Sequence, residues 1–251
     1  VISGMHSLVT EYEGIWTLQD SGLSCDYLTT HPYASPSYET DKMKINTIFP
    51  MLHPAAQTLF YAGIGKKPCF IEETGTFGQM YCDDELAAKY VEATLYTAWA
   101  HNCLSFLWWI GFDQGSLNYY PFSYNNRASN YGLYREDKTL KPVGRVIKKF
   151  NDFQQSFPFE KLPERIKDAV CVLSPHQKTW NVGYSAFILA KQAKIDLEFA
   201  FLSDEIPDSK VYFMPSIKFT QDIGIDGLDS LMKRVEKGAV LYLSVASGFV
   251  R

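Results

Sequence analysis

The chain has 251 residues, 46% hydrophobic and 21% charged, ordinary proportions for a well-packed protein of one large or two smaller domains. A net charge of -4 removes the electrostatic basis for nucleic-acid binding. No apolar run approaches the roughly 20 residues needed to span a bilayer, so neither nucleic acid nor a membrane is expected as a partner.

In chain order, residues 1–4 read as a short strand followed by a long polar and aromatic loop. No signal peptide opens the chain, and its start at Val1 instead of Met leads us to expect that the natural N-terminus lies upstream. Residues 25–30 form the next expected strand, ending at His31-Pro32-Tyr33. A helix is expected within residues 45–63, interrupted near Pro50 and Pro54. Residues 68–73 read as a buried strand, because parallel strands covered on both faces lack clean alternation. Residues 83–101 carry a helix signature, with Asp83 and Asp84 at the start and Leu86, Tyr90, Ala93, Thr94 and Thr97 at helical spacing. A fourth strand over 103–110 and an amphipathic helix over 142–153 complete an alternation that predicts βαβ units and a parallel sheet.

Residues 157–165, with two prolines and several charges, read as a linker. Strands are then expected over 169–173, 197–202, 211–215 and 240–245, and helices over 183–193 and 228–237. This is the pattern of a doubly wound α/β domain. It lacks a GxGxxG fingerprint, and Gly63-Ile64-Gly65-Lys66-Lys67 lacks the spacing of a phosphate-binding loop, so no cofactor is expected. His101 and Cys103 stand close together, but nothing completes a ligand set, and no metal is expected. The five cysteines, Cys25, Cys69, Cys82, Cys103 and Cys171, form no CxxC pair and lie mostly in apolar runs. They read as free thiols, which slightly favours a cytoplasmic, reducing compartment and is also compatible with a secreted parent.

Aromatic residues make up 15% of the chain, and several cluster beside polar groups, a combination suited to sugar recognition as well as to a large core. In parallel α/β barrels the functional side chains sit at the C-terminal ends of strands. Three expected strands end in chemically suggestive groups: His31 and Tyr33, Glu72 and Glu73, and Trp108 and Trp109. The segment Lys67-Pro68-Cys69-Phe70-Ile71-Glu72-Glu73-Thr74-Gly75 delivers two carboxylates into a glycine-containing turn. Neighbouring strand residues point to opposite faces, so one of the pair is expected to reach a cleft.

Glu73-Thr74-Gly75 resembles the end of the seventh barrel strand in the retaining β-glycosidase clan, which includes cellulase-like, mannanase-like and β-galactosidase-like enzymes. The strand there ends Glu-x-Gly, and its glutamate is the nucleophile. Asp26-Tyr27-Leu28-Thr29-Thr30-His31-Pro32-Tyr33 resembles the sixth strand of that clan, whose His and Tyr line the neighbouring subsite. Leu107-Trp108-Trp109-Ile110-Gly111-Phe112-Asp113-Gln114 resembles the eighth, which supplies a tryptophan platform under the sugar. Counting back from Asp113 favours Trp109 for that platform and puts Trp108 across the pleat. Tyr131-Gly132-Leu133-Tyr134-Arg135-Glu136-Asp137, followed by Lys141-Pro142, resembles the stretch after that strand. Ser3-Gly4-Met5-His6-Ser7 resembles the end of the fifth strand, with His6 a weaker site candidate. Trp16, Glu11 and Glu13 lie in the loop that follows.

The resemblance implies an α/β chain comprising the C-terminal half, strands five to eight, of a TIM (β/α)8 barrel over residues 1–155. A linker over 156–165 and a truncated flavodoxin-like α/β domain over 166–251 follow, the latter similar to the domain after the barrel in some β-galactosidases. It implies a glycosidase acting on β-linked carbohydrate, with Glu73 as nucleophile and His31, Tyr33, Trp109, Trp108, Glu72, His6 and Trp16 around the sugar. In this clan the acid/base glutamate follows an asparagine at the end of the fourth strand, and no Asn-Glu dipeptide occurs here. A full barrel needs about 250 residues. The chain is therefore expected to be a fragment that does not hydrolyse glycosides alone. Two other readings are a carbohydrate-binding barrel without chemistry, and a structural fragment that forms a homo-oligomer through residues 166–251.

Overall fold

A computed structural model of the chain describes residues 1–3, 16–33, 45–76, 78, 81–124, 126, 128–174, 177–218 and 223–245. Strand β1 (Ile2–Ser3) is followed by helix α1 (Leu18–Ser24), β2 (Tyr27–Thr30), α2 (Ile48–Gly65), β3 (Cys69–Thr74), α3 (Asp84–Ala100), β4 (Phe106–Trp108) and α4 (Pro142–Ser156). The four strands form one parallel sheet in the order β1-β2-β3-β4. Among the described residues β1 and β4 each pair on one side only, and Ile2, Leu104 and Leu107 there are exposed.

The second half contains β5 (Ala169–Leu173), α5 (Thr179–Gln192), β6 (Leu197–Phe201), β7 (Val211–Ile217), α6 (Ile225–Glu236) and β8 (Val240–Val245). Its strands are also parallel, in the order β6-β5-β7-β8. The fold is thus α/β with two parallel four-stranded sheets among the described residues.

Helix α1 lies where the sequence suggested only loop. Its signal is local: Thr17 accepts from the Asp20 backbone N–H, and the Asp20 carboxylate accepts from the Thr17 backbone N–H, a reciprocal cap that satisfies two orphan donors. Helix α2 runs without interruption through both prolines. Pro50 is the third helical residue, where the missing N–H has no partner to lose. Pro54 lies in the interior, where a proline costs about 3 kcal/mol. That cost is outweighed because 13 of the 18 residues are buried, among them Leu52, Phe60, Tyr61 and Ile64. Each such side chain contributes roughly 1.5–3 kcal/mol on full burial. Strand β4 is shorter than expected: the Cys103 N–H closes the end of α3 by donating to Ala98 O at 3.0 Å, and only from Leu104, which donates to Cys69 O at 3.4 Å, does the chain bond to β3.

The burial of α2 has two sides. It packs on β2 and β3 through Leu28 and Cys69, and on the second half through Trp180, Tyr184 and Phe187 of α5 and Phe199 of β6, all in one hydrophobic cluster. Gly63 sits directly against the Phe199 carbonyl, where a Cβ would collide with backbone, so a side chain there would push the two sheets apart. A second cluster joins α3 to α4 through Val91, Leu95, Val143 and Phe150, and a third lies within the second sheet around Tyr212, Met214 and Leu231.

A polar knot closes the same seam. Asp196, just before β6, faces His101 at 3.7 Å and Arg165 at 3.6 Å, and accepts from Lys191. Burial alone would raise the Asp196 carboxyl, but Lys191, His101 and Arg165 together hold it below the usual range. Burial, reinforced by Lys191 and Arg165, pushes the His101 imidazole down to about 4 from an ordinary 6.5. Its Nδ1 lies 2.6 Å from Thr97 O, which fixes the neutral ring with the proton on that nitrogen.

The consequence for stability has a definite sign. Between pH 6.5 and about 4 the unfolded chain takes up a proton at His101 that the folded chain refuses, so stability declines as pH falls through that window. The displacement corresponds to about 3 kcal/mol at most. The urea midpoint is expected to drop between pH 7 and pH 4.5, and His101→Leu is expected to flatten that drop. An equal pH slope in the variant would disprove the assignment.

Candidate active site

The parallel pairing of β2 with β3 sets Leu28 beside Cys69, Thr29 beside Phe70 and Thr30 beside Ile71. Carried one residue further, this register brings His31 level with Glu72. Thr30 Oγ1 donates to Gln57 Oε1 of α2, with both side chains buried, and anchors the strand just before it releases His31-Pro32-Tyr33. Thr74 Oγ1 donates to Pro32 O, and the Trp109 N–H donates to Thr74 O at 2.8 Å. The ends of β2, β3 and β4 are therefore stitched together by short polar links.

Between β3 and β4 the register shifts. Ile71 faces Phe106 and Thr74 faces Trp108, so three steps along β3 match two along β4. The extra residue falls at Glu72–Glu73 and breaks the strict alternation of side chains. The sequence suggested that one of these glutamates reaches the cleft. With the bulge, both carboxylates reach the same imidazole: His31 Nε2 lies 3.2 Å from Glu72 Oε2, and His31 Nδ1 lies 3.7 Å from Glu73 Oε2.

Tyr33 is 8% exposed, and its hydroxyl donates to Glu73 Oε1. Gly75 permits this approach: a Cβ there would lie 3.3 Å from Tyr33 Cε1 and 3.1 Å from the Trp109 carbonyl oxygen. The structure thus brings together His31, Tyr33, Glu72 and Glu73, with the backbone of Trp109 alongside. The Trp109–Ile110 peptide bond is cis.

The other expected residues fall differently. The Trp109 side chain is 45% exposed, whereas Trp108 packs on the α3–α4 cluster and donates its indole N–H to Tyr131 O at 2.9 Å. Trp16 is exposed just ahead of α1, and its indole N–H is engaged by Ser21 Oγ at 2.8 Å. His6, Glu11 and Glu13 lie outside the described residues. Two grooves of about 830 and 900 Å³ are lined by other residues: one by α1, the end of α2 and residues 204–207, the other by Lys210, Lys233, Arg234 and their neighbours. The polar groups that converge at the strand ends line neither of these grooves.

One support lies beyond the sequence reading. Lys141, 4% exposed, donates to Asp113 Oδ1 at 3.1 Å and to Asn130 O at 2.8 Å, and faces Asp84 at 3.6 Å. Asp113 also accepts from the Gly132 N–H at 2.7 Å. This knot ties the two ends of the long loop after β4 to each other and to Asp84, the first residue of α3. Its sequence signal was Lys141 directly before the helix-starting Pro142, an apolar boundary where a lysine must find a partner.

No protein-family model matches the sequence, and no curated protein does. Solved structures do match. An exo-beta-1,4-mannosidase from Opitutaceae bacterium strain TAV5 superposes with a TM-score of 0.74 at 16% identity, over 96% of this chain and 45% of the mannosidase. A GH5_18 protein from Bifidobacterium longum, in complex with Manb1-4GlcNAc, superposes at 0.68 and 14% identity, over 95% of this chain and 52% of its own. A beta-galactosidase from the psychrophilic Marinomonas ef1 gives 0.57 at 12%, covering 90% and 37%. At these identities the likeness concerns the fold alone. The chain spans about half the length of the first two structures.

Lys141→Met is expected to cost about 3 kcal/mol, because it leaves the mostly buried Asp113 carboxylate without its cation. Urea unfolding monitored by far-UV circular dichroism measures this. A midpoint equal to that of the native chain would show that the knot contributes nothing.

Proposed function

We propose that this chain supplies the second half of the catalytic barrel of a retaining β-glycosidase, with Glu73 as its nucleophile, followed by a flavodoxin-like unit. The carrying observation is the contact of Tyr33 with Glu73 across adjacent strand ends. Consecutive strand order in the first sheet suits a barrel segment, and the order β6-β5-β7-β8 matches the start of a flavodoxin-like sheet. We take residues 1–155 as the barrel portion, 156–165 as the linker and 166–251 as the second unit.

In this reading Glu73 attacks the anomeric carbon of a β-linked sugar through Oε2 while Tyr33 holds Oε1. The glycosidic bond breaks and a covalent glycosyl ester forms; water then releases the sugar with retained configuration. The departing oxygen needs a proton from a second carboxyl group about 5–5.5 Å away. We assign that group to a glutamate outside this sequence. Trp109, half exposed at the next strand end, offers a flat face to the ring. The substrate class is a β-linked mannoside or galactoside, in keeping with the named activities of the structural neighbours.

The test uses 2,4-dinitrophenyl 2-deoxy-2-fluoro-β-glycosides of mannose, galactose and glucose on the full-length protein. Dinitrophenolate leaves without protonation, so the label forms independently of the acid/base residue, and the fluorine slows its hydrolysis. Digestion and mass spectrometry are expected to find the sugar on the peptide containing Glu73. Glu73→Gln is expected to abolish labelling and turnover while sugar binding persists. A label on any other residue, or undiminished turnover in the variant, removes Glu73 from the role.

A further inference from the structure

Glu72 stands beside the proposed nucleophile and has no part in the attack described above. Its position is nevertheless specific. The sheet register brings it level with His31, and the bulge in β3 turns both carboxylates toward the same ring. The imidazole is largely buried, with its side chain 14% exposed, while the Glu72 carboxylate remains partly open to solvent.

The distances divide the labour. His31 Nε2 lies 3.2 Å from Glu72 Oε2, within hydrogen-bonding reach. An ionised carboxylate only accepts, so Nε2 carries the hydrogen, and the bond fixes the direction in which the opposite edge of the ring points. That edge, Nδ1, lies 3.7 Å from Glu73 Oε2. The separation is too long for a direct hydrogen bond, and with its hydrogen on Nε2 the ring presents an acceptor at this edge. Tyr33 already occupies the other oxygen of Glu73.

We infer that Glu72 is a positioning residue that acts through His31, holding Nδ1 beside the attacking Glu73 Oε2 so that Nδ1 accepts the hydrogen of one hydroxyl of the bound sugar. The inference rests on the glycosidase reading above. It makes Glu72 part of sugar recognition without any contact between Glu72 and the sugar, in the way that a carboxylate orients a working histidine in other sites.

A double-mutant cycle tests it in the full-length protein. The measured quantity is kcat/KM for dinitrophenolate release from 2,4-dinitrophenyl β-mannoside or β-galactoside, which retain every sugar hydroxyl. Glu72→Gln is expected to lower it about tenfold or more through the loosened ring. The pair Glu72→Gln with His31→Ala is expected to match His31→Ala alone within about twofold, because Glu72 has nothing to orient once the ring is gone. Glu72→Asp, which keeps the charge, is expected to recover part of the loss. Losses that multiply in the double variant, or a Glu72→Gln protein as fast as the native one, overturn the inference while leaving Glu73 in place. If Glu72→Gln fails to fold, Glu72→Asp takes its place in the cycle, and multiplying losses or a native rate overturn the inference there too. A native protein that releases no dinitrophenolate from either sugar overturns the glycosidase reading, and this inference with it.

Discussion

Helix α2 is the element on which the rest of the structure leans. Its burial against β2 and β3 on one side and against α5 and β6 on the other makes one hydrophobic cluster out of residues more than 100 positions apart, from Leu28 to Phe199. Burial on this scale tolerates an interior proline, and the close approach at Gly63 lets the helix sit hard against the second sheet. The same helix reaches the candidate site. Gln57, in its middle, accepts from Thr30, so the last residue of β2 is held by the core itself and the following His31-Pro32-Tyr33 starts from a rigid point.

From that point the site is assembled by neighbouring strand ends. Parallel strands terminate on one side of a sheet, so residues separated by 40 positions, Tyr33 and Glu73, meet without any long excursion of the chain. The contacts that result are polar and close: a phenol on one carboxylate oxygen, an imidazole facing the other, and a second carboxylate behind the imidazole. The Asp113–Lys141 knot performs the corresponding service for β4, returning the loop after Trp109 to the body of the protein. Each of these groups gains its orientation from packed neighbours, which keeps the cluster in one geometry.

Much of the element order was legible because it is locally encoded. The apolar runs at 25–30, 68–73, 169–173 and 240–245 became strands, and the helical spacing of Leu86, Tyr90 and Thr94 became α3. The misses have identifiable causes. Helix α1 is seven residues long, too short for hydrophobic periodicity, and only its Thr17–Asp20 cap announced it. The prolines of α2 suggested a break, since propensity sees the lost hydrogen bond but not the core on both sides. The alternation rule assigned Glu72 and Glu73 to opposite faces, and a bulge set by pairing with β4 overrode it.

By itself, then, the sequence determined an α/β chain of parallel strands whose ends carry His31 and Tyr33, Glu72 and Glu73, and Trp108 and Trp109. These follow from hydrophobic period and turn residues within a few positions of one another. Only the tertiary structure decided which of these groups touch. It paired His31 with both glutamates, gave Tyr33 to Glu73, and committed the Trp108 indole to Tyr131 while leaving Trp109 half open. The physical reason is that strand register, the bulge and the seam around α2 are properties of pairs of segments far apart in the chain. Their energies lie in non-local burial and hydrogen bonding that no single stretch of sequence contains.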